Sequence, residues 1–426
     1  MPNKDRNIPK RRFKEFENAD AWELRKLGEV MEVTSVKRIH QSDWTDFGVR
    51  FLRARDIVAE SKNESVSEPL FISQKKYDEY TAISGKVTKG DLLVTGVGTI
   101  GIPMLIEKNE PIYFKDGNII WFKNENHIDG QFFYYSFIGK KIQSFIKESA
   151  GIGTVGTFTI NTGKNTPIDL PVLKKEQEAI GTFFSTLDRH ITLHQRKLDK
   201  LKSVKQAYLS EMFPAEGERV PKRRFPGFTD DWERRPLGEI GNTYTGLSGK
   251  TKDDFGHGDG RFVTYMNVFS NPISLPEMVE AVEIDESQNT VRYGDVLFTT
   301  SSETPEEVGM SSVWLENTEN TYLNSFCFGF RPVKKVNPYY LAYLLRSSGM
   351  RRKISFLAQG ISRYNISKTK MMELEISIPN EKEQSAIGTF FSTLDRHITL
   401  HQRKLEKLKN LKKALLNELF VDFQRK

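Results

Sequence analysis

Residues 179–198 read AIGTFFSTLDRHITLHQRKL, and the same twenty letters return at 386–405. The likeness continues through Lys200-Leu201-Lys202 against Lys407-Leu408-Lys409. It runs on through Ala207, Leu209, Glu211 and Phe213 against Ala414, Leu416, Glu418 and Phe420. An offset of 207 residues is far too long for a stacked solenoid repeat. The chain therefore carries two copies of a whole module.

Apolar residues in the first copy fall at Ile180, Phe184, Leu187, Ile191, Leu198, Leu201, Tyr208 and Met212, with His194 and Lys205 completing a 4-3-4-3 spacing. The second copy repeats it with Ile387, Phe391, Leu394, Ile398, His401, Leu405, Leu408, Lys412, Leu415 and Leu419. A heptad seam sustained this long predicts two long helices, each paired with another helix. Asn380, three residues before Glu383, has the spacing of a capping box, and Phe213-Pro214 stops the first copy. Each helix should span about 35 residues, or about 50 Å. The simplest partner for one copy is the other. If the two were parallel, the intervening chain would have to travel the full helix length backwards, so antiparallel pairing is expected. That arrangement brings the end of the second helix near the first domain.

The repeat also reaches outside the helices. Pro9-Lys10-Arg11-Arg12-Phe13 recurs as Pro221-Lys222-Arg223-Arg224-Phe225, Trp22 as Trp232, and Leu27-Gly28-Glu29 as Leu237-Gly238-Glu239. Gly90-Asp91-Leu92-Leu93 matches Gly294-Asp295-Val296-Leu297, and an aromatic-rich helix is expected over both 129–147 and 337–355. Between these landmarks the halves diverge into short β-rich runs (118–122, 322–330) broken by Gly, Asn and Thr turns. The expected fold class is α+β: two globular domains separated by a pair of long antiparallel coiled-coil helices, in a pseudo-twofold arrangement. The boundaries are residues 1–172, helix 173–213, residues 214–379 and helix 380–426.

The net charge of +7 suits phosphate contact without demanding it. One cysteine, Cys327, excludes a disulfide framework and a thiolate metal cluster. The first fourteen residues are charged, unlike a signal peptide, and no apolar run is long enough to span a bilayer, so a soluble cytoplasmic protein is expected.

Motifs suggestive of catalysis fail on context. Gly96–Gly101 and Gly151–Gly156 both match GxGxxG, but neither reads as a turn inside a βαβ unit with an acidic residue about 20 positions on, the combination a dinucleotide site needs. Flexible surface loops explain them better, although such loops let main-chain N–H groups approach phosphate closely. Gly246–Thr251 (GLSGKT) has two residues between its glycines where a phosphate loop needs four. Asn337-Pro338-Tyr339-Tyr340 is faintly similar to an amino-methyltransferase motif but lacks its second proline, and a helix N-cap accounts for it.

Candidate DNA contacts are therefore polar residues beside turns. Arg50, Arg53 and Arg55 alternate along an expected strand and so would share one face, and Thr95 and Thr99 flank the Gly loop. Tyr265, Asn267, Thr299, Ser301, Arg363 and Tyr364 hold comparable places in the second half. His194 and His401 on the seam fit a register-setting role. Asp188, Arg189, His190, Gln195 and Arg196 are expected to face outward with their copies Asp395, Arg396, His397, Gln402 and Arg403, as a face for a shared partner.

The Glu-Gln…Ile…Leu-Asp…Ile…Leu…Leu-Lys…Leu…Phe pattern at 171–213 and 379–420 resembles the spacer regions of specificity subunits of type I restriction-modification systems. The diverging halves resemble their target recognition domains over essentially the whole chain. The resemblance implies a non-catalytic subunit whose two domains each read one half of a bipartite DNA site. It also implies docking of two methyltransferase (modification) subunits and of translocase-endonuclease (restriction) subunits. No cofactor is expected in this chain; S-adenosylmethionine, ATP and magnesium belong to the partners. A second hypothesis is a stand-alone DNA-binding scaffold or repressor with two recognition domains.

Overall fold

The computed structural model describes residues 7–150, 156–215 and 217–421. Most of the second Gly-rich stretch, 151–155, lies outside them. Two long helices dominate, Lys174–Glu211 and Glu381–Glu418, each 38 residues long. Contacts divide the chain into two units, residues 1–194 with 404–426, and residues 195–403. Each unit holds one α+β domain, the first part of one long helix and the last part of the other.

In the first unit, strands Glu32–Thr34, Ile119–Lys123, Leu92–Thr95 and Pro103–Leu105 form an antiparallel sheet in that order. A second sheet runs Trp44–Thr45, Leu70–Ile72, Val49–Leu52 and Ile112–Phe114, its last pair parallel. The second unit repeats the first sheet with Gly241–Thr245, Cys327–Pro332, Val296–Thr299 and Ser311–Val313. A further sheet there has three strands, Val279–Val282, Phe255–Val263 and Thr321–Leu323. The aromatic-rich segment is broken into two short helices in each half. These are Gly130–Ile138 and Lys140–Ser149, and Pro338–Leu344 and Ser348–Phe356. The breaks fall at Gly139 and Ser347, both extended at the N-cap of the following helix.

The helix segments within each unit run antiparallel. In the first, Phe184 stacks on Phe420 at 5.9 Å, and Lys412 reaches Asp188 at 2.7 Å. In the second, Phe213 stacks on Phe391 at 5.8 Å, and Lys205 pairs with Asp395. Partner numbers fall as residue numbers rise, which is the antiparallel signature. Ile180, Phe184, Leu187, Leu198, Ile387, Phe391, Ile398, Leu405, Leu415 and Leu419 are buried along the seam, as the heptads predict. At the end of the first helix the buried residues are Leu209 and Met212, while Tyr208 lies edge-on to Phe390 at 5.0 Å.

The PKRRF segments turn out to be staples between helix ends. Arg12 donates two 2.6 Å hydrogen bonds to Glu176, a fully buried carboxylate that also accepts from Trp22 Nε1. Arg11 pairs with Glu418 at 2.8 Å, and its backbone N–H donates to the Glu418 carbonyl. The second unit copies this: Arg224 and Trp232 donate to buried Glu383, and Arg223 holds Glu211 through both side chain and backbone. Asn380 Oδ1 accepts from the Glu383 N–H as expected of an N-cap, but the Glu383 carboxylate is taken by Arg224 and Trp232 and so does not close a capping box.

The repeated Glu-Gln pair divides its labour. Gln177 and Gln384 accept from the backbone of Asp129 and Asn337, the N-caps of the aromatic helices. The glycine of the repeated AIG permits that approach. A Cβ on Gly181 would lie 2.8 Å from the Phe132 amide nitrogen, and one on Gly388 2.7 Å from the Tyr339 Cβ. Asp91 and Asp295 of the Gly-Asp elements are buried hubs. Asp91 accepts from Thr88, Trp121 and Asn124, and Asp295 from Arg292, Tyr244 and Arg331.

Candidate nucleic-acid interface

The loops that leave the main sheet after Leu92–Thr95 and after Val296–Thr299 begin at the candidates Thr95 and Thr299 and carry Thr99 and Ser301. Thr95 is buried beneath the first loop; its hydroxyl donates to the Thr99 carbonyl and accepts from the Ile102 N–H. Thr95 therefore shapes the loop, and the exposed Thr99 and Val97 stand on its surface. Gly96 accepts from Phe158 N–H, and a Cβ on Gly156 would lie 3.6 Å from Ile100 Cδ1, so the segments that carried the two GxGxxG matches adjoin.

The second unit uses the same scaffold. The Thr299 hydroxyl accepts from Met310 N–H, and Ile366 N–H donates to Thr300 O as Phe158 does to Gly96. Ser301–Ser302 then pairs with Tyr364–Asn365, and Tyr265 donates its hydroxyl to Ser301 O at 2.7 Å. The fold thus gathers Tyr265, Thr299, Ser301, Arg363 and Tyr364 around one loop. Arg363 is exposed beside Ile361, which is 95% exposed. Phe326, whose carbonyl accepts from Thr300, and Met266, next to Tyr265, are also exposed. Nothing in the sequence sets these three apolar side chains apart, because a lone Ile, Phe or Met is ordinarily core.

Three sequence expectations are corrected. Asn267 is fully buried, and its amide bonds to Leu275 and Met278 carbonyls and to Leu275 N–H, so it braces a turn. Arg50, Arg53 and Arg55 do not alternate on one strand. The strand ends at Leu52 because Asp56 caps the helix Ala54–Ser61 by accepting the Arg53 N–H. All three guanidinium groups instead lie within 3.1–3.9 Å of the buried Asp56 carboxylate. Asp188 and Asp395 point inward: Asp188 holds Lys412 and the Tyr135 hydroxyl, and Asp395 holds Lys205 and the Tyr343 hydroxyl. Burial and the adjacent carboxylate push both tyrosine pKa values up, keeping the phenols protonated as donors. Arg189, His190, Arg196, Arg396, His397, Gln402 and Arg403 remain exposed, and Gln195 is half-buried with its amide on Asp199.

Among the described residues no group of three or more His, Cys, Asp or Glu could hold a metal ion, and no helix is long and apolar enough to cross a membrane. Burial pushes the Cys327 thiol pKa up, which favours the protonated thiol. The sequence profile of the type I restriction modification DNA specificity domain matches residues 19–203 and again 229–410. The chain belongs to that family.

Relatives carry related descriptions. A Methanocaldococcus jannaschii protein described as a candidate MjaX type I restriction enzyme specificity subunit is 27% identical over 208 residues, 48% of this chain and 49% of its own length. The match therefore spans about half of that relative. The MjaVIII specificity subunit of the same organism is 22% identical over 69% of this chain and 70% of its own length. The specificity-family fold is also that of a type I S subunit from M. genitalium, with a TM-score of 0.59 at 14% identity, covering 98% of this chain and 100% of that one.

Proposed function

We propose that this chain is the DNA-specificity subunit of a type I restriction-modification complex and has no catalytic activity of its own. Each α+β domain reads one half of an asymmetric, bipartite site, and the helix pair sets the gap between the halves. The supporting observation is the pairing of two copies of the family domain, built on identical staples, with unlike loops on top. Reading heads of different sequence require half-sites of different sequence, as symmetric heads require palindromes. The exposed loop residues Thr99 and Arg363, with the half-buried Tyr364, are the contacts proposed on the domains. Arg50, Arg53 and Arg55, gathered on Asp56, offer phosphates partly neutralised charge.

The repeated exposed residues of the helices, Arg189, His190 and Arg196 with Arg396, His397 and Arg403, are proposed to dock two methyltransferase subunits. Restriction subunits join that assembly; S-adenosylmethionine, ATP and magnesium act in the partners. The target base must leave the duplex to be methylated, and that step falls to the partner. The deciding experiment is to map methylated bases in DNA after co-expression with the modification subunit. A gapped, asymmetric motif is expected; a short continuous palindrome refutes the reading. Methyl transfer by the chain alone also refutes it. Replacing residues 221–378 should change one half-site only. Lengthening both helices should widen the gap while keeping both half-sites.

A further inference from the structure

The loops proposed to face the bases differ in length between the halves, and each is tied down from below by one side chain at the same place in the fold. Seven positions separate Thr95 from Ile102, whose N–H its hydroxyl accepts; eleven separate Thr299 from Met310. The last loop residue before that bond is a glycine in both, Gly101 and Gly309. In the first unit Gln143, on the helix Lys140–Ser149, donates to the Gly101 carbonyl at 3.0 Å. In the second, Arg351, on the matching helix Ser348–Phe356, donates to the Gly309 carbonyl at 2.8 Å. Its other terminal nitrogen reaches the carbonyls of Val308 at 2.6 Å and Glu306 at 2.7 Å.

The longer loop is thus held by a side chain with more donors. Desolvation lowers the Arg351 pKa to about 10, still well above neutrality, so the guanidinium stays charged while its partners are neutral carbonyls. A planar fork reaching the carbonyls of Glu306, Val308 and Gly309 fixes a backbone path in a way a lysine ammonium cannot. Arg346 extends the device. It donates to the carbonyls of Val268, Phe269 and Asn271, at the end of the helix that carries Tyr265, and to that of Ser311, the first residue of the strand Ser311–Val313.

We propose that Gln143 and Arg351 are positioning residues for half-site reading, each fixing the base-facing loop of its own domain through the carbonyl of that loop's last glycine. This rests on the specificity-subunit reading. Neither side chain touches DNA; each sets where the loop residues stand. The two half-sites are therefore tuned separately, one by Gln143 and one by Arg351.

The test uses the full chain assembled with its modification subunits and measures binding to duplexes carrying the intact site or a site with one half scrambled. For the native chain, scrambling either half should weaken binding strongly. R351Q is expected to shrink that discrimination roughly ten- to hundredfold at one half-site and leave the other unchanged, the scale of a mispaired contact. Q143A should do the same at the opposite half-site, and it tests the proposal even where R351Q folds poorly. R351K keeps the charge without the fork and should resemble R351Q. The slope of affinity against salt should stay as in the native chain, because no phosphate contact is lost; a slope lowered by about one would make Arg351 a direct phosphate contact and overturn the proposal. Equal loss at both half-sites, or no loss at either, overturns it too. If the native chain itself shows no half-site discrimination, the specificity reading falls; if it does and the variants keep it at both halves, only the positioning role falls.

Discussion

The two halves of this chain solve one packing problem with the same residues and then part company at the surface. Arg12 with Glu176 and Arg224 with Glu383, Tyr135 with Asp188 and Tyr343 with Asp395, and Gly181 and Gly388 under the aromatic helices are matched nearly atom for atom. Beyond them, a four-stranded second sheet stands against a three-stranded one, and a short glycine loop against a longer loop flanked by exposed Ile361, Phe326 and Met266. The difference teaches where constraint lies. Groups desolvated at the helix ends leave no freedom, because each buried carboxylate needs its donors. Loops that face solvent are free to differ.

The largest expected effect tests the matched part. Arg12→Ala or Arg224→Ala leaves a buried glutamate without its cation and should cost about 3–5 kcal/mol in denaturant unfolding. The two losses should be alike; a loss in one half alone breaks the equivalence. Next come the seam triads. A double-mutant cycle on Asp188→Asn and Lys412→Met should give a coupling of about 1 kcal/mol, discounted for the partial exposure of both side chains, and Asp395 with Lys205 should return the same value. A cycle near zero in either pair would show that the shared register is set by the apolar residues alone.

Thr95→Val and Thr299→Val keep the side-chain shape but remove the hydroxyl under each loop. Each should cost about 1 kcal/mol of stability, and DNA discrimination should fall at a different half-site for each. The smallest effect belongs to the second half alone. His257 bonds to Asp253 O at 2.6 Å and Glu283 at 2.8 Å, and these partners raise its pKa above the ordinary 6.5. A raised folded-state pKa stabilises the charged form, so the contribution is complete below 6.5 and vanishes as pH rises through the folded value. The Tm gap between the native chain and H257Q should accordingly open on acidification and close at alkaline pH. A gap that is independent of pH would remove the charge from the explanation.

The architecture was legible because repetition and heptad spacing are long signals, and because chain connectivity allows only one economical direction for the helix pair. The site was less so. Spacing alone put Arg53 and Arg55 on a strand, since the sequence does not announce that Asp56 will cap a helix at Arg53. Asp188 and Asp395 sit where a heptad wheel tolerates either face, and only the Tyr135 and Tyr343 hydroxyls decide that they turn inward. Asn267 looked available because polar residues near turns often are; its burial depends on how the 271–278 turn folds back over it. The staples left a signal that could have been used. PKRRF and Trp recur in both halves, and so does Glu-Gln at the helix starts; such cations and acids, repeated together, are candidates to pair.

One consequence of the staples concerns the ends of the helices. Arg11 and Arg12 hold the end of one long helix and the start of the other, and Arg223 and Arg224 hold the remaining two ends. The stretches between the stapled glutamates, 176–211 and 383–418, are equal in length. Each unit thus clasps its own two helix ends, one through a buried glutamate and one through a glutamate open to solvent.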